Sequence, residues 1–328
     1  MKRILITGGA GFIGSHVTEQ LLQKGHEVWV VDNFSTGSRE NLAHLHVEHL
    51  HIIEGDVRDE AMLEPVMNNV EQVYHLAASV GVKHIMDNLV ASIHNNIAGT
   101  EAVLKVASRA GKKVLLTSTS EVYGKSSDTP SREDDDLRMG ETIKSRWSYA
   151  CSKALDEYLA FAYYHEYQLP VTIVRLFNTV GERQTSKYGM VLPTFIRQAL
   201  RNEPLTIHGN GEQSRCFGYV RDVVWALERL MESSKTVGQV YNVGNPEQVT
   251  INELADRVIA ATESTSVKEY IPYTEAYKSG FDDAARRQPN IDKVYRAIGF
   301  QSKHTLEEII YIMVAAERQS LKVVRARA

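Results

Sequence analysis

TGGAGFIGSH, residues 7–16, follows the apolar run Ile4–Thr7 and opens the amphipathic stretch Gly14–Lys24. A strand that turns on glycines straight into a helix is the opening of a βαβ unit. Five further runs, Val28–Asp32, Ile52–Glu54, Val73–Leu76, Val114–Ser118 and Thr172–Leu176, read as buried strands. Helical stretches such as Thr100–Ala110 lie between them. This rhythm predicts an α/β fold with a doubly wound parallel sheet covered by helices on both faces. It breaks after Asn178: a polar loop, a helix over Pro193–Asn202, the segment LTIHGNG and a return through Val220–Met231 follow. A strand over Gln239–Val243, a helix over Ile251–Ala261 and a last amphipathic helix near Leu306–Glu317 complete the chain, with KVVRARA expected to fray. A sheet domain and a smaller, mixed C-terminal domain are expected, the chain crossing between them more than once.

The 328 residues carry a net charge of −4, with 43% hydrophobic and 24% charged residues. That balance offers no electrostatic reason to bind nucleic acid or an anionic membrane. No apolar run approaches a membrane span. MKRILITGGAGFIG reads as a strand and turn and not as a signal peptide, so the cytoplasm is the expected compartment. Cys151 and Cys216 are the only cysteines, too few for a disulfide framework, and both are expected to be reduced.

Gly8, Gly11 and Gly14 sit where a Rossmann-type turn needs them: for the tight turn, for close approach of a pyrophosphate, and for helix–strand packing. The first N–H groups of the helix, with Phe12 and Ile13, then face the phosphates. Asp32 ends the second strand, with Asn33 after it, where a carboxylate accepts bonds from the ribose hydroxyls and repels a 2′-phosphate. NAD is therefore the expected cofactor, although Arg39 lies just downstream. Asp56 and Val57, read as the end of the third strand, fall where an adenine edge would lie.

Tyr149 and Lys153, in SRWSYACSK, share one helix face. A neighbouring ammonium and a positive nicotinamide ring both favour the phenolate, so Tyr149 is positioned to take a proton from a sugar hydroxyl while hydride leaves to NAD. Their partner segment is Thr117-Ser118-Thr119-Ser120-Glu121, at the C-terminal end of the fifth strand, where open α/β sheets place their ligands.

Together, TGGAGFIGSH, VDN, HLAA (75–78), Asn95-x-x-x-Gly99-Thr100, STSEVYG, YACSK, RLFNTVG and LTIHGNGEQSRCF resemble the extended short-chain dehydrogenase/reductase family of nucleotide-sugar enzymes. The resemblance implies that residues 1–177, with a return segment 216–243, bind NAD, and that 178–215 and 244–328 bind the nucleotide sugar. It implies that Leu76, Ala77, Ala78, Asn95 and Thr117 border the cofactor and that Thr119 bonds the sugar beside Tyr149. Asn178 and the segment Leu205–His208, with Thr206 and His208, would hold the nucleoside diphosphate and base. Arg215 and Arg287 would neutralise the diphosphate or an anionic sugar, their planar forks suiting phosphate or carboxylate. It also implies a homodimer through a four-helix bundle made by the Tyr149 helix and its neighbour, Ile93–Ala110.

Members of this family first oxidise the sugar at carbon-4. Decarboxylation, 4,6-dehydration or 4-epimerisation follows. Ser120-Glu121 resembles the dehydratases and the UDP-glucuronate decarboxylases more than the epimerases. Arg146-Trp147-Ser148-Tyr149 and the stretch from Tyr277 through Gly280-Phe281-Asp282-Asp283 to Arg287-Gln288-Pro289-Asn290 resemble the decarboxylases. Arg146 and Arg287 would suit a substrate carboxylate, with Glu121 as the acidic residue beside it. The alternatives stay open: dehydratase, 4-epimerase, or a non-catalytic NAD-binding regulator, the last expected to show a damaged catalytic set. The histidines at 44, 46, 49 and 51 read as a helix end and strand start and not as a metal site. The acidic run Glu133–Asp136 reads as a solvated loop, Cys151 as facing away from Tyr149 and Lys153, and the tyrosines of AFAYYHEY as core or interface packing.

Overall fold

Near-continuous Val/Ile/Leu runs are the mark of strands covered on both faces. The computed structural model describes residues 1–45, 48–126, 129–187, 189–276 and 286–327. Its strands are β1 (Arg3–Thr7), β2 (Glu27–Asp32), β3 (Leu50–Glu54), β4 (Gln72–His75), β5 (Lys113–Thr119), β6 (Val171–Leu176), β7 (Thr179–Val180), β8 (Leu205–His208), β9 (Ser214–Cys216), β10 (Gly218–Tyr219), β11 (Gln239–Val243), β12 (Gln248–Thr250) and β13 (Lys268–Ile271). Its helices are α1 (Phe12–Gln23), α2 (Glu60–Asn69), α3 (Val82–Asp87), α4 (Leu89–Arg109), α5 (Ser148–Tyr167), α6 (Val191–Leu200), α7 (Val220–Glu232), α8 (Ile251–Thr262), α9 (Tyr273–Ala276), α10 (Asp292–Ile298) and α11 (Leu306–Arg327).

Seven parallel strands form one sheet in the order β3-β2-β1-β4-β5-β6-β11. Alternation along each strand sorts side chains between its faces. Leu5, Val31, Val114 and Leu116 join residues of α2, α4 and α5. Ile4, Ile6, Val28, Val30 and Leu115 join α1 and α7, and the same core continues into α6, α8, α10 and α11. Three two-stranded pairings, β10-β7, β12-β9 and β13-β8, lie outside the main sheet. The sheet order reverses between β1 and β4, so the carboxyl ends of β1, β4 and β5 open onto a crevice.

Several expectations change. β3 ends at Glu54, so Asp56 and Val57 lie beyond the strand. The last helix runs to Arg327 and the segment expected to fray continues it. Glu133 is not simply solvated: its carboxylate accepts the Asn242 N–H at 2.8 Å and its carbonyl accepts from Arg175. His46 and residues 277–283 of the decarboxylase-like stretch lie outside the described residues.

Candidate active site

The loop between β1 and α1 is built from glycines for steric reasons. Gly8 has φ +72°, and a Cβ there would lie 2.8 Å from the Ala77 nitrogen. A Cβ on Gly14 would lie 2.1 Å from the Gly8 carbonyl oxygen. Gly11 caps α1 without a side-chain bond, leaving first-turn N–H groups for a ligand. Asp32 is buried and anchored, accepting the Ala10 N–H at 2.9 Å and the Phe34 N–H at 2.8 Å. Burial raises its pKa and those two bonds oppose the rise. Arg39 is drawn away to Glu54 and lies over the Phe34 ring. Asp56 is held at about 2 by the bond from Arg58, against some desolvation. A glycine cradle at a helix N-terminus beside an anchored acid fits a dinucleotide with an unmodified ribose.

The candidate residues named from the sequence line one cavity of about 540 Å³, from Gly8 and Asp32 past Thr119 and Tyr149 to Thr206, Arg215 and Arg287. The exceptions are Leu205 and Ile207 of the segment Leu205–His208, which turn into the core. Tyr149 enters in the first turn of α5 near Thr119, whose oxygen accepts the Glu121 N–H at 3.2 Å. Burial raises the Tyr149 pKa, Glu121 and Asp156 raise it further, and Thr119 and Arg146 only partly oppose them. The expectation that Lys153 holds Tyr149 as phenolate meets a difference here. Lys153 gives its ammonium to Asp156 at 2.8 Å, with both side chains buried. α5 is fixed to the sheet by Glu157, which accepts from Ser118 on β5 and from Arg175 on β6 (Nη2 at 2.8 Å).

Glu121 sits in a 3-10 turn after β5, and the two arginines expected to meet a substrate carboxylate, Arg146 and Arg287, both meet it. Arg146 grips it with two bonds, one of 2.8 Å, and Arg287 adds a third at 3.1 Å. Burial alone would raise the pKa of this carboxyl; Arg146 and Arg287 outweigh it and hold Glu121 at about 2. Glu121 is thus a fixed anion and a feeble base.

At the far end, the Asn178 amide donates to the Cys216 carbonyl at 3.2 Å and Gln198 donates to Thr206 at 3.0 Å. Burial lowers the His208 pKa, and Arg215 donates to the Ser214 carbonyl at 2.8 Å. Sequence reading missed Gln184, Thr185, Gln213 and Tyr273, which line the same cavity. For Tyr273 the available signal was the glycine at 209: lacking a Cβ, it leaves the space that the Tyr273 ring takes, 2.6 Å from where a Cβ would stand. His44 lies 3.6 Å from Glu19, and His51 bonds Glu27 and stacks on Trp29. Among the described residues, no three His, Cys, Asp or Glu side chains converge as a metal site, and no helix is long and apolar enough to cross a membrane. Cys151 is exposed and Cys216 buried, neither paired with the other.

Residues 4–244 match the family described as NAD dependent epimerase/dehydratase. The chain belongs to that family. NAD is the cofactor that the family's description names, and solved neighbours from Thermus thermophilus and Bacillus cereus hold it. This epimerase/dehydratase-family chain is 40% identical over 308 residues to a UDP-N-acetyl-alpha-D-glucosaminuronate decarboxylase of Bacillus cytotoxicus, covering 94% of this chain and 95% of the relative. It is equally 40% identical over 308 residues to UDP-glucuronic acid decarboxylase 1 of Danio rerio, covering 94% of this chain and 70% of that one. UDP-glucuronic acid 4-epimerase of Bacillus cereus, solved with UDP-glucuronic acid and NAD, superposes with a TM-score of 0.86 at 27% identity, covering 97% of this chain and 99% of that one.

Proposed function

We propose that this family member is an NAD-dependent nucleotide-sugar decarboxylase, which oxidises carbon-4 of a UDP-uronic acid and then releases its carboxylate as carbon dioxide. The observation that carries this reading is the arginine clamp on Glu121. Dehydration needs a base to remove the carbon-5 proton, and a carboxylate held at about 2 is a poor one. A 4-keto uronate is a β-keto acid and needs no base: the carboxylate's electrons pass through carbon-5 to the ketone oxygen. The Thr119 and Tyr149 hydroxyls, side by side in the cavity, suit that developing oxyanion. The curated relatives with decarboxylase names point the same way, with UDP-glucuronate or its 2-acetamido counterpart as substrate.

In this reading NAD supplies the hydride acceptor. Tyr149 moves the proton of the carbon-4 hydroxyl, and Thr119 holds that oxygen. Gly8, Gly11, Gly14 and Asp32 seat the cofactor within residues 1–177 and the return segment 216–243. Thr206, His208 and Arg215 serve the nucleotide within 178–215 and 244–328. We also assign a homodimer. α4 packs on α5, and these helices expose Val90, Ile93, Leu155 and Tyr158, an apolar face suited to a four-helix bundle with a second copy. The cytoplasm, where Cys151 and Cys216 would remain thiols, is the assigned compartment.

Proton and carbon NMR of the protein with UDP-glucuronate and NAD tests the reaction. A UDP-pentose or its 4-keto form, with bicarbonate released, supports decarboxylation; UDP-galacturonate would make the chain a 4-epimerase. Glu121→Gln is expected to spare NADH formation while slowing carbon dioxide release about tenfold, the scale of one lost charged contact. Equal loss of both steps, read at 340 nm and by bicarbonate release, would remove Glu121 from the later chemistry.

A further inference from the structure

Arg287 reaches Glu121 from 166 positions along the chain, and a single buried side chain lies between the segments that carry them. Asn242, on β11, is fully buried and stands behind the cavity wall. An amide in such a place is costly unless its polar atoms are paired, and both of them are. Its oxygen accepts the Tyr123 hydroxyl at 2.7 Å. Its nitrogen donates to the Ser131 carbonyl at 2.9 Å and reaches the Asn290 carbonyl at 3.4 Å. Tyr123 closes the 3-10 turn Ser120–Tyr123, which carries Glu121. Its ring is fixed beneath the Arg175 guanidinium, 4.8 Å from the ring centre. Ser131 and Asn290 belong to the other side of the contact. The Ser131 N–H donates to the Gln288 carbonyl and the Ser131 carbonyl accepts the Asn290 N–H, each at 2.8 Å, so the run that follows Arg287 is bridged to Ser131. Gln288 is tied further to Gln248 at 2.5 Å and to the Pro246 carbonyl at 3.0 Å. Arg146 arrives separately, from the turn that leads into α5.

We propose that Asn242 is a positioning residue: it rivets the turn that carries Glu121 to the run that carries Arg287, and so sets where the Arg287 guanidinium stands in the site. A misplacement of about 1 Å is enough to spoil a contact that a reaction depends on. The rivet touches neither Glu121 nor Arg287, and it acts on both through backbone that it holds. What Arg287 then does for a substrate carboxylate rests on the decarboxylase reading; the placing of Arg287 does not.

The test joins crystal structures of the NAD-bound variants to a double-mutant cycle with Arg287→Ala. In Asn242→Ala the Arg287–Glu121 contact, 3.1 Å here, is expected to open beyond hydrogen-bond reach while Arg146 keeps its grip. With UDP-glucuronate, Asn242→Ala should lower kcat/KM about tenfold when Arg287 is present and cost nothing further when Arg287 is already alanine, a coupling of the size found within one contact network. Tyr123→Phe deletes a single oxygen and covers a failure of Asn242→Ala to fold. It cuts the same rivet on the Glu121 side and should show the same coupling at about threefold. Equal cost in both backgrounds would make Asn242 merely structural. An unbroken Arg287–Glu121 contact in the variant structures would show that other bonds place the arginine, and either result overturns the proposal. If the unaltered enzyme releases no carbon dioxide from UDP-glucuronate, the decarboxylase reading fails, while the structures still decide whether Asn242 places Arg287.

Discussion

Tyr149→Phe is expected to lower nucleotide-sugar turnover by about a hundredfold or more, the usual contribution of a placed acid–base group. The change deletes one oxygen from a buried ring and keeps the ring's volume. Thr119 beside it retains the Glu121 N–H at 3.2 Å, so the polar cost of the deletion is small. Thermal unfolding should therefore move little while NADH formation at 340 nm falls steeply. Near-normal turnover would mean that another group moves the carbon-4 proton, and Tyr149 would lose its place in the reaction.

Gly14→Ala should be nearly as damaging, through the cofactor. The added methyl would stand 2.1 Å from the Gly8 oxygen and 2.8 Å from the Gly9 Cα. Both obstacles are backbone, so no flexible side chain can yield. α1 has to move away from the loop, taking with it the N–H groups that face the pyrophosphate. Overpacking of this kind costs about 1–3 kcal/mol, which for a chain of this size is a fall in Tm of roughly 1–5 °C. NAD affinity should fall by about a hundredfold. A fluorescence melting series with and without NAD reads both effects. An unaltered NAD-dependent rise in Tm would show that the loop can absorb the methyl.

What could be read from the sequence was local. Gly8, Gly11 and Gly14 lie within one turn of β1, and their reason for being glycine is a contact inside that turn or with the adjoining strand end. Tyr149 and Lys153 share a helix face by spacing alone. The partners of charged groups were not local. Arg146 was given to the substrate, yet it reaches back across 25 positions to Glu121, and Arg287 does so across 166. Such pairing is decided by how loops converge after the sheet forms, and no periodicity announces it. Lys153 was expected to act on Tyr149 unopposed; Asp156, in plain view in the next turn, has the spacing of an ordinary surface pair and shows its buried position only once α5 packs on α4. The strands β7, β9, β10 and β12 are two or three residues long, too short to carry a pattern. Glu133 looked like one member of a solvated run because its partner, the backbone of Asn242, is 109 residues away.

β11 has a bearing on how such a chain can be cut or shuffled. It adds to the outer side of β6 residue by residue, from Gln239 beside Thr172 to Val243 beside Leu176. Asn242 within it ties down Tyr123 and Ser131 from the earlier half of the chain. A fragment ending at residue 177 would keep the glycine loop, Tyr149 and Lys153, yet it would present β6 as a bare apolar border open to any other strand. The half that carries the dinucleotide motif is therefore not a portable module. Its last strand is supplied by residues 239–243, which follow α6 and α7 in the chain, so a transplanted first half needs that later sequence to close its sheet.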